Sequence, residues 1–190
     1  MTALKLYIAI LSEVRSDNKG PGFGCAQISF SQLENVADVA RAMITPALEF
    51  LEPWIKTHHS RAGNVYQVID FTTEPGQWVR LPSQYILQRK TLTAFPSRSR
   101  VSLAALKMYL YLLERCERNA TYASVSYPTI RIRTGIAQND IPRAISALAG
   151  ADLVRTFSPR QGEDSGQNVY HFLGFGQPES DIDTGDVDFD

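Results

Sequence analysis

Cysteine and histidine are scarce in this sequence, and none of them is spaced as part of a metal-ligand set. Cys25 and Cys116 are the two cysteines in 190 residues, and neither belongs to a Cys-x-x-Cys pair or lies near a histidine at ligand spacing. We therefore expect no zinc site and interpret both cysteines as small buried side chains. His58 and His59 are adjacent, and neighbouring residues on a strand point to opposite sides, so this pair is not expected to hold a metal either.

Features of membrane, secreted and catalytic proteins are also missing. No apolar run is long enough to span a bilayer, and the first residues lack the basic stretch, apolar stretch and cleavage site of a secretory signal. No glycine-rich phosphate loop, nucleophile elbow or acidic cluster falls inside a predicted element. The sequence therefore predicts a cytoplasmic protein that binds no membrane and has no enzymatic activity, catalytic residue, metal or cofactor.

Charge is distributed unevenly along the chain. The formal net charge is -1, but residues 179–190 hold six acidic residues and no basic one. Residues 1–178 hold 19 basic and 14 acidic residues, so the body of the protein is mildly basic. We expect residues 176–190 to form a disordered, solvated acidic tail. The alternatives are that this tail contacts a partner, or that it competes with a negatively charged ligand for the basic face of the body.

The sequence contains an internal repeat. The apolar stretch at residues 3–11 is echoed at 105–113, and Ser29 and Ile44 match Ser126 and Ile141, each 97 positions further on. Residues 64–68 (NVYQV) match residues 168–172 (NVYHF) in the same order. Because the offset changes only where loops would lie, the sequence predicts two copies of one fold that arose by internal duplication.

Each copy is predicted to run helix, short strand, helix, turn, helix, strand, loop, strand. In the second copy, apolar spacing predicts helices at 103–116, 127–134 and 140–148 and strands at 123–126, 153–157 and 169–173. Gly135 and Gly150 are expected to end the second and third helices. Three helices followed by a two-stranded wing make a winged helix. We therefore predict an α+β, mostly α fold with two winged-helix domains in tandem.

The domain boundaries follow from the repeat. Residues 1–71 are predicted to form domain 1, 72–102 a partly ordered linker, 103–175 domain 2 and 176–190 the acidic tail. The linker carries many apolar side chains, which a free tether would not, so it is expected to pack against a domain. A strand at 78–81 and a short helix at 84–88 are its candidate elements.

The tract at residues 126–148 carries a family resemblance. It contains Ser126-Tyr127, Thr134-Gly135-Ile136 and Arg143-Ala144-Ile145, followed by Leu148. This pattern resembles the helix-turn-helix of winged-helix proteins, which include transcription regulators and the initiators of plasmid and phage replication. With a wing that ends in residues 168–170, the resemblance covers residues 78–175 well and 3–71 more weakly, through the repeat. It implies DNA binding.

The third helix of the second copy is the expected reader of DNA. If Ile141, Ala144 and Leu148 face the core, its other side can enter the major groove, where Gln and Asn pair with adenine and Arg with guanine. Either Ala137 or Asp140 could cap this helix. If Asp140 is the cap, the helix begins later and residues 138 and 139 lie in the turn. The predicted base-reading residues are Gln138, Asn139, Pro142, Arg143 and Ser146. The predicted phosphate contacts are Arg131, Arg133, Arg155 and Arg160.

The first copy is predicted to contact DNA bases less well than the second. Its outward helix positions include one basic residue and one acidic residue, Arg41 and Glu49. Its wing is more suitable, because basic and histidine residues lie near a turn at Gly63. The predicted contacts of this copy are Arg41, Thr45, Lys56, His58 and Arg61.

These observations predict sequence-specific binding of double-stranded DNA by a transcription regulator, through the recognition helix and wing of domain 2 assisted by domain 1. Replication initiation on a plasmid or phage is the alternative, ranked second because the chain shows no extra domain for recruiting a helicase. An alternative of another class is a winged-helix module that docks proteins. The sequence also leaves open whether the chain forms a homodimer and whether it binds a protein partner through the acidic tail or domain 1.

Overall fold

A computed structural model describes residues 1–15, 22–60, 63–72, 74, 79, 81–116, 120–157 and 167–175 of the chain. Within these residues the fold is α+β and about half helical, with seven α-helices and two three-stranded sheets. None of the helices in these segments is both long and apolar enough to cross a membrane. The predicted acidic tail, Arg61 and Arg160 lie outside the described residues.

The helices and strands form two units with the same order of elements. The first unit comprises α1 (Thr2–Ser12), β1 (Cys25–Gln27), α2 (Phe30–Ala37), α3 (Ile44–Leu51), β2 (Ile55–Ser60) and β3 (Gly63–Val68). Between the units lie α4 (Ser83–Arg89) and a 3₁₀ turn (Thr91–Ala94). The second unit comprises α5 (Arg100–Glu114), β4 (Tyr122–Val125), α6 (Tyr127–Thr134), α7 (Ile141–Gly150), β5 (Val154–Phe157) and β6 (Asn168–Phe172).

The second helix of each unit begins and ends in the same way. Ser29 caps α2 and Ser126 caps α6, each through a side-chain oxygen that accepts a hydrogen bond from the backbone N–H three residues on. Each helix ends at a residue with left-handed backbone, Asp38 after α2 (φ 49°) and Gly135 after α6 (φ 67°). A 3₁₀ turn then leads into the third helix, over Arg41–Met43 in one unit and Gln138–Asp140 in the other.

The two sheets are built alike and have three strands, not the two predicted for each wing. Their strand orders are β1-β3-β2 and β4-β6-β5, all antiparallel. Ala26 on β1 pairs with Tyr66 on β3, and Ala123 on β4 pairs with Tyr170 on β6. The short strand ahead of the second helix, β1 or β4, thus becomes the third strand of the wing. This pairing gives its backbone N–H and C=O groups hydrogen-bond partners.

One face of each third helix and one face of each sheet pack into a core. Ile44 and Leu48 on α3 are buried, as are Ile141 and Leu148 on α7. The inward residues of the second sheet, among them Tyr170, contact the same core. Alternating polar and apolar residues place the other faces in solvent.

Several predicted element ends shift by a few residues. The helix predicted at 103–116 begins at Arg100, because Ser99 caps it by accepting a hydrogen bond from the N–H of Ser102. The strand predicted at 123–126 ends at Val125, because Ser126 leaves the ladder to cap α6. α7 ends at Gly150, as predicted, but Gly150 does not adopt a left-handed conformation; the left-handed residue nearby is Asp152, with φ 54°.

The segment between the units packs against the first unit, and Tyr85 on α4 also lies beside Gly174 of the second unit. Ile86 on α4 and Phe95 are fully buried, and α4 contacts α1. Lys5 of α1 is also fully buried, and its Nζ donates hydrogen bonds to the carbonyl oxygens of Asp38 (3.3 Å) and Phe95 (3.1 Å). Burial lowers the pKa of Lys5, partly offset by the negative charge of Asp38. The predicted helix at 84–88 thus corresponds to α4, whereas the strand suggested at 78–81 falls largely outside the described residues.

Candidate nucleic-acid interface

The polar face of α7 and of the 3₁₀ turn before it is exposed to solvent. The opposite face of α7 is held by Ile141, Ala144 and Leu148, all without exposed surface. The exposed residues are the five predicted base readers, Gln138, Asn139, Pro142, Arg143 and Ser146. The hydroxyl of Ser146 donates to the carbonyl oxygen of Pro142 at 3.0 Å. This helix is therefore anchored on one side and open on the other, the arrangement that groove binding requires.

An ion pair links the beginning of α7 to the beginning of α5. Asp140 stands at the N-cap position, which agrees with the alternative prediction, but its side chain accepts no capping hydrogen bond. Its carboxylate instead lies 3.0 Å from Nη2 of Arg100, the first residue of α5. Gln138 and Asn139 lie in the 3₁₀ turn that leads into α7, as that alternative predicted, and both are exposed.

Three further arginines of the second unit are exposed. Arg131 and Arg133 lie in the last turn of α6, where positive charge is favourable beside the carboxyl end of a helix. Between them Ile132 is 79% exposed, an unusual position for a large apolar side chain. Arg155 lies on the outward face of β5. Within the described residues, neither these three arginines nor Arg143 has an ion-pair partner.

In the first unit the corresponding surface is occupied by its own contacts. Nη1 of Arg41 lies 3.1 Å from Oε2 of Glu34 and 3.4 Å from Oγ of Ser31, and the guanidinium lies 5.8 Å from the centre of the Phe30 ring. Arg41 is therefore engaged within its own unit, which lowers its value as a DNA contact.

The other predicted contacts of the first unit surround a cleft between α3 and β2. The cleft has a volume of about 620 Å³, and Thr45, Lys56 and His58 lie along it together with the acidic residues Glu49 and Glu52. Because the carboxylates oppose the positive charge of the lysine, phosphate binding there would be weak. The structure thus brings these three predicted residues together, but in a mixed electrostatic setting.

The two units differ in charge. The described residues of the first unit, 1–15, 22–60 and 63–72, hold four basic and six acidic residues. Those of the second unit, 100–116, 120–157 and 167–175, hold seven basic and three acidic residues. The described residues of the second unit therefore carry a net positive charge, and those of the first unit a net negative charge.

The adjacent histidines of β2 point to opposite sides of the sheet, as the strand period predicts. Nε2 of His58 lies 3.4 Å from Oε1 of Gln67, whereas Nδ1 of His59 lies 2.8 Å from Oδ1 of Asn64. No group of three or more histidine, cysteine or acidic residues that could hold a metal ion occurs within the described parts of the chain.

Two exposed aromatic groups were not identified from the sequence. Phe50 and Trp54 lie at the end of the first unit's α3, with ring centres 6.1 Å apart. On the second sheet, the ring of His171 lies 5.4 Å from that of Tyr122 and 4.8 Å from that of Phe157. The available signal was strand alternation, since Tyr122 precedes the buried Ala123 and therefore points outward.

Comparison of the chain with models of known families, with curated proteins and with solved structures finds no match in any of the three.

Proposed function

We propose that this chain consists of two winged-helix domains in tandem and binds double-stranded DNA in a sequence-specific manner, as a regulator of transcription. The single observation that carries the proposal is that α7 has a buried apolar face, while Arg143 on its other face and Gln138 and Asn139 in the 3₁₀ turn before it are exposed. The major groove admits an α-helix, and these three residue types can each form two hydrogen bonds to one base.

The arginines around α7 support the proposal. Arg131 and Arg133 precede the turn that leads into α7, and they have no ion-pair partner among the described residues. Contacts from such residues to phosphates would set the position of α7 on the duplex without reading sequence. The basic excess of the second unit would add attraction over a longer range.

The first unit takes an assisting role in this proposal. Its wing carries Lys56 and His58 on the outward side of β2, while Arg41 is engaged by Glu34. Two similar units in one chain could reach successive stretches of groove about 34 Å apart, the length of one helical turn. Initiation of replication would use the same contacts and remains the alternative biological role.

Selection of bound sites from a random duplex pool tests the proposal. The full chain is expected to enrich a defined consensus. Arg143→Ala is expected to relax the preference at one base pair, with a loss of about 1–3 kcal/mol at the preferred site. Arg115→Ala serves as the matched control, because Arg115 is an exposed arginine at the other end of α5 from Arg100. A pool that stays random after repeated selection would contradict sequence-specific binding.

Protein docking is the second candidate function, and the exposed rings of the first unit favour it. Phe50 is 67% exposed, and Trp54 and Met43 are about half exposed nearby in sequence. Glu49 and Glu52 lie on the same stretch, so the surface is apolar and acidic, unlike a DNA-binding face. If the chain bound no duplex even at low salt, docking would replace DNA binding as the proposed function.

A further inference from the structure

The outward face of the second sheet carries three neighbouring aromatic rings. Tyr122 on β4 pairs in register with His171 on β6, and Phe157 lies on β5 at the other side of β6. The imidazole ring packs against both neighbours, with ring centres 5.4 Å from Tyr122 and 4.8 Å from Phe157. Yet Tyr122 remains 44% exposed and Phe157 54% exposed. The rings therefore form a cluster whose outer side is open to solvent.

Packing of the sheet does not require these rings. The opposite face supplies the core, through Ala123, Val154 and Tyr170. The first sheet has the same strand order and pairing. By register, its equivalent outward positions hold Cys25, His58 and Gln67 in place of Tyr122, Phe157 and His171. An equivalent sheet is thus built without an aromatic cluster on this face.

The charge on this face suits an anionic partner. Arg155 pairs in register with His171, so its side chain lies on the same side of the sheet as the rings. None of β4, β5 and β6 contains an acidic residue. Burial lowers the pKa of His171, which favours the neutral form of its ring over the charged one. The face therefore combines flat rings with one fixed positive charge.

We propose that this face, formed by Tyr122, Phe157, His171 and Arg155, binds single-stranded nucleic acid by stacking unpaired bases on the two exposed rings while Arg155 contacts a phosphate. Bases in a duplex are already stacked on one another and offer no free face, whereas every unpaired base does. An aromatic platform beside a cation is the arrangement by which proteins bind single strands with little dependence on sequence. This site is separate from α7 and goes beyond the proposed duplex binding.

Anisotropy of labelled oligo(dT) and oligo(U), each of about 12 nucleotides, titrated with the full chain, tests the proposal. Tyr122→Ala and Phe157→Leu are each expected to weaken binding by about 5- to 150-fold, the loss that removal of one stacking ring produces. Tyr122→Phe and Phe157→Tyr keep a ring and are expected to retain affinity. Phe50→Ala is the matched control, since it removes an exposed ring from the first unit.

Duplex binding provides an independent readout. The ring variants are expected to leave duplex affinity unchanged, whereas Arg143→Ala lowers duplex affinity and leaves oligo(dT) affinity unchanged. Thermal unfolding checks that each variant is folded. The proposal is overturned if the wild-type chain binds neither oligonucleotide, or if folded Tyr122→Ala and Phe157→Leu bind as tightly as the wild type. It is also overturned if sedimentation shows that the rings join two copies of the chain.

Discussion

Removing two arginines should halve the salt dependence of duplex binding. Besides Arg115, which lies at the far end of α5, four arginines of the second unit are exposed and lack an ion-pair partner among the described residues: Arg131, Arg133, Arg143 and Arg155. A random-sequence duplex offers Arg143 no preferred base to read, so on such a duplex all four are expected to contact phosphates, and binding releases the counterions that those phosphates held. The double variant Arg131→Ala with Arg143→Ala leaves two such contacts. The expected salt slope of the double variant is therefore half that of the wild type.

The magnitude follows from the number of contacts. Each neutralised phosphate contributes about -0.9 to the slope of log K against log salt concentration. Four contacts give a slope of about -3.6, so raising the salt from about 50 to about 200 mM weakens binding roughly 150-fold. Two contacts give a slope of about -1.8 and a loss of roughly 12-fold over the same range.

Fluorescence anisotropy with a random-sequence duplex, repeated over a series of NaCl concentrations, measures both slopes. Arg115→Ala should keep the wild-type slope, because Arg115 follows the end of α5, roughly 22 Å along that helix from Arg100 and the start of α7. An unchanged slope in the double variant would show that these arginines do not contact phosphates. The assignment of α7 and α6 to the DNA side would then be wrong.

Three predictions concern the fold. The hydroxyl of Tyr109 is buried with no hydrogen-bond partner among the described residues. Tyr109→Phe should therefore raise the free energy of unfolding, measured by urea denaturation, by about 1 kcal/mol. Tyr66→Phe should lower it, because it removes a hydroxyl that accepts a hydrogen bond from Asn64. Gly135 has φ 67° with open space around it, so Gly135→Ala should cost about 1 kcal/mol through backbone strain alone, and an equal or greater stability would contradict this. Burial lowers the pKa of Lys5 below its usual 10.5, so the unfolded chain binds this proton more tightly than the folded chain. The free energy of unfolding should therefore rise with pH between the folded-state and unfolded-state pKa values of Lys5. Lys5→Met should lose that rise when unfolding is measured across alkaline pH.

Much of the local structure could be read from the residue pattern. The 3.6-residue spacing of Ile141, Ala144 and Leu148 predicts both a helix and its buried face, and Gly135 predicts the end of α6. The match between residues 64–68 and 168–172 predicts equivalent wing strands, and the pairing of β3 and β6 with their neighbours is indeed equivalent. These features depend on side chains close together in sequence.

Other features depend on which elements meet in space. The pairing of Arg41 with Glu34 and of Arg100 with Asp140 decides which arginines are free, and no spacing rule indicates either pair. The burial of Lys5 against the carbonyl of Phe95, 90 residues away, is likewise invisible in a helix pattern. A sequence period states which side of an element is apolar, but it does not state which partner covers that side.

The sequence by itself determined the order of elements, the inward residues of α7 and the exposure of its polar side, because these follow from short-range periodicity and from capping residues. Only the tertiary structure decided that a third strand joins each wing, that the first unit's surface is occupied by its own ion pair, and that Tyr122, His171 and Phe157 meet on one face. Each of these requires three strands or two helices to come into contact, and the geometry of such contacts is set by the packing of the whole core.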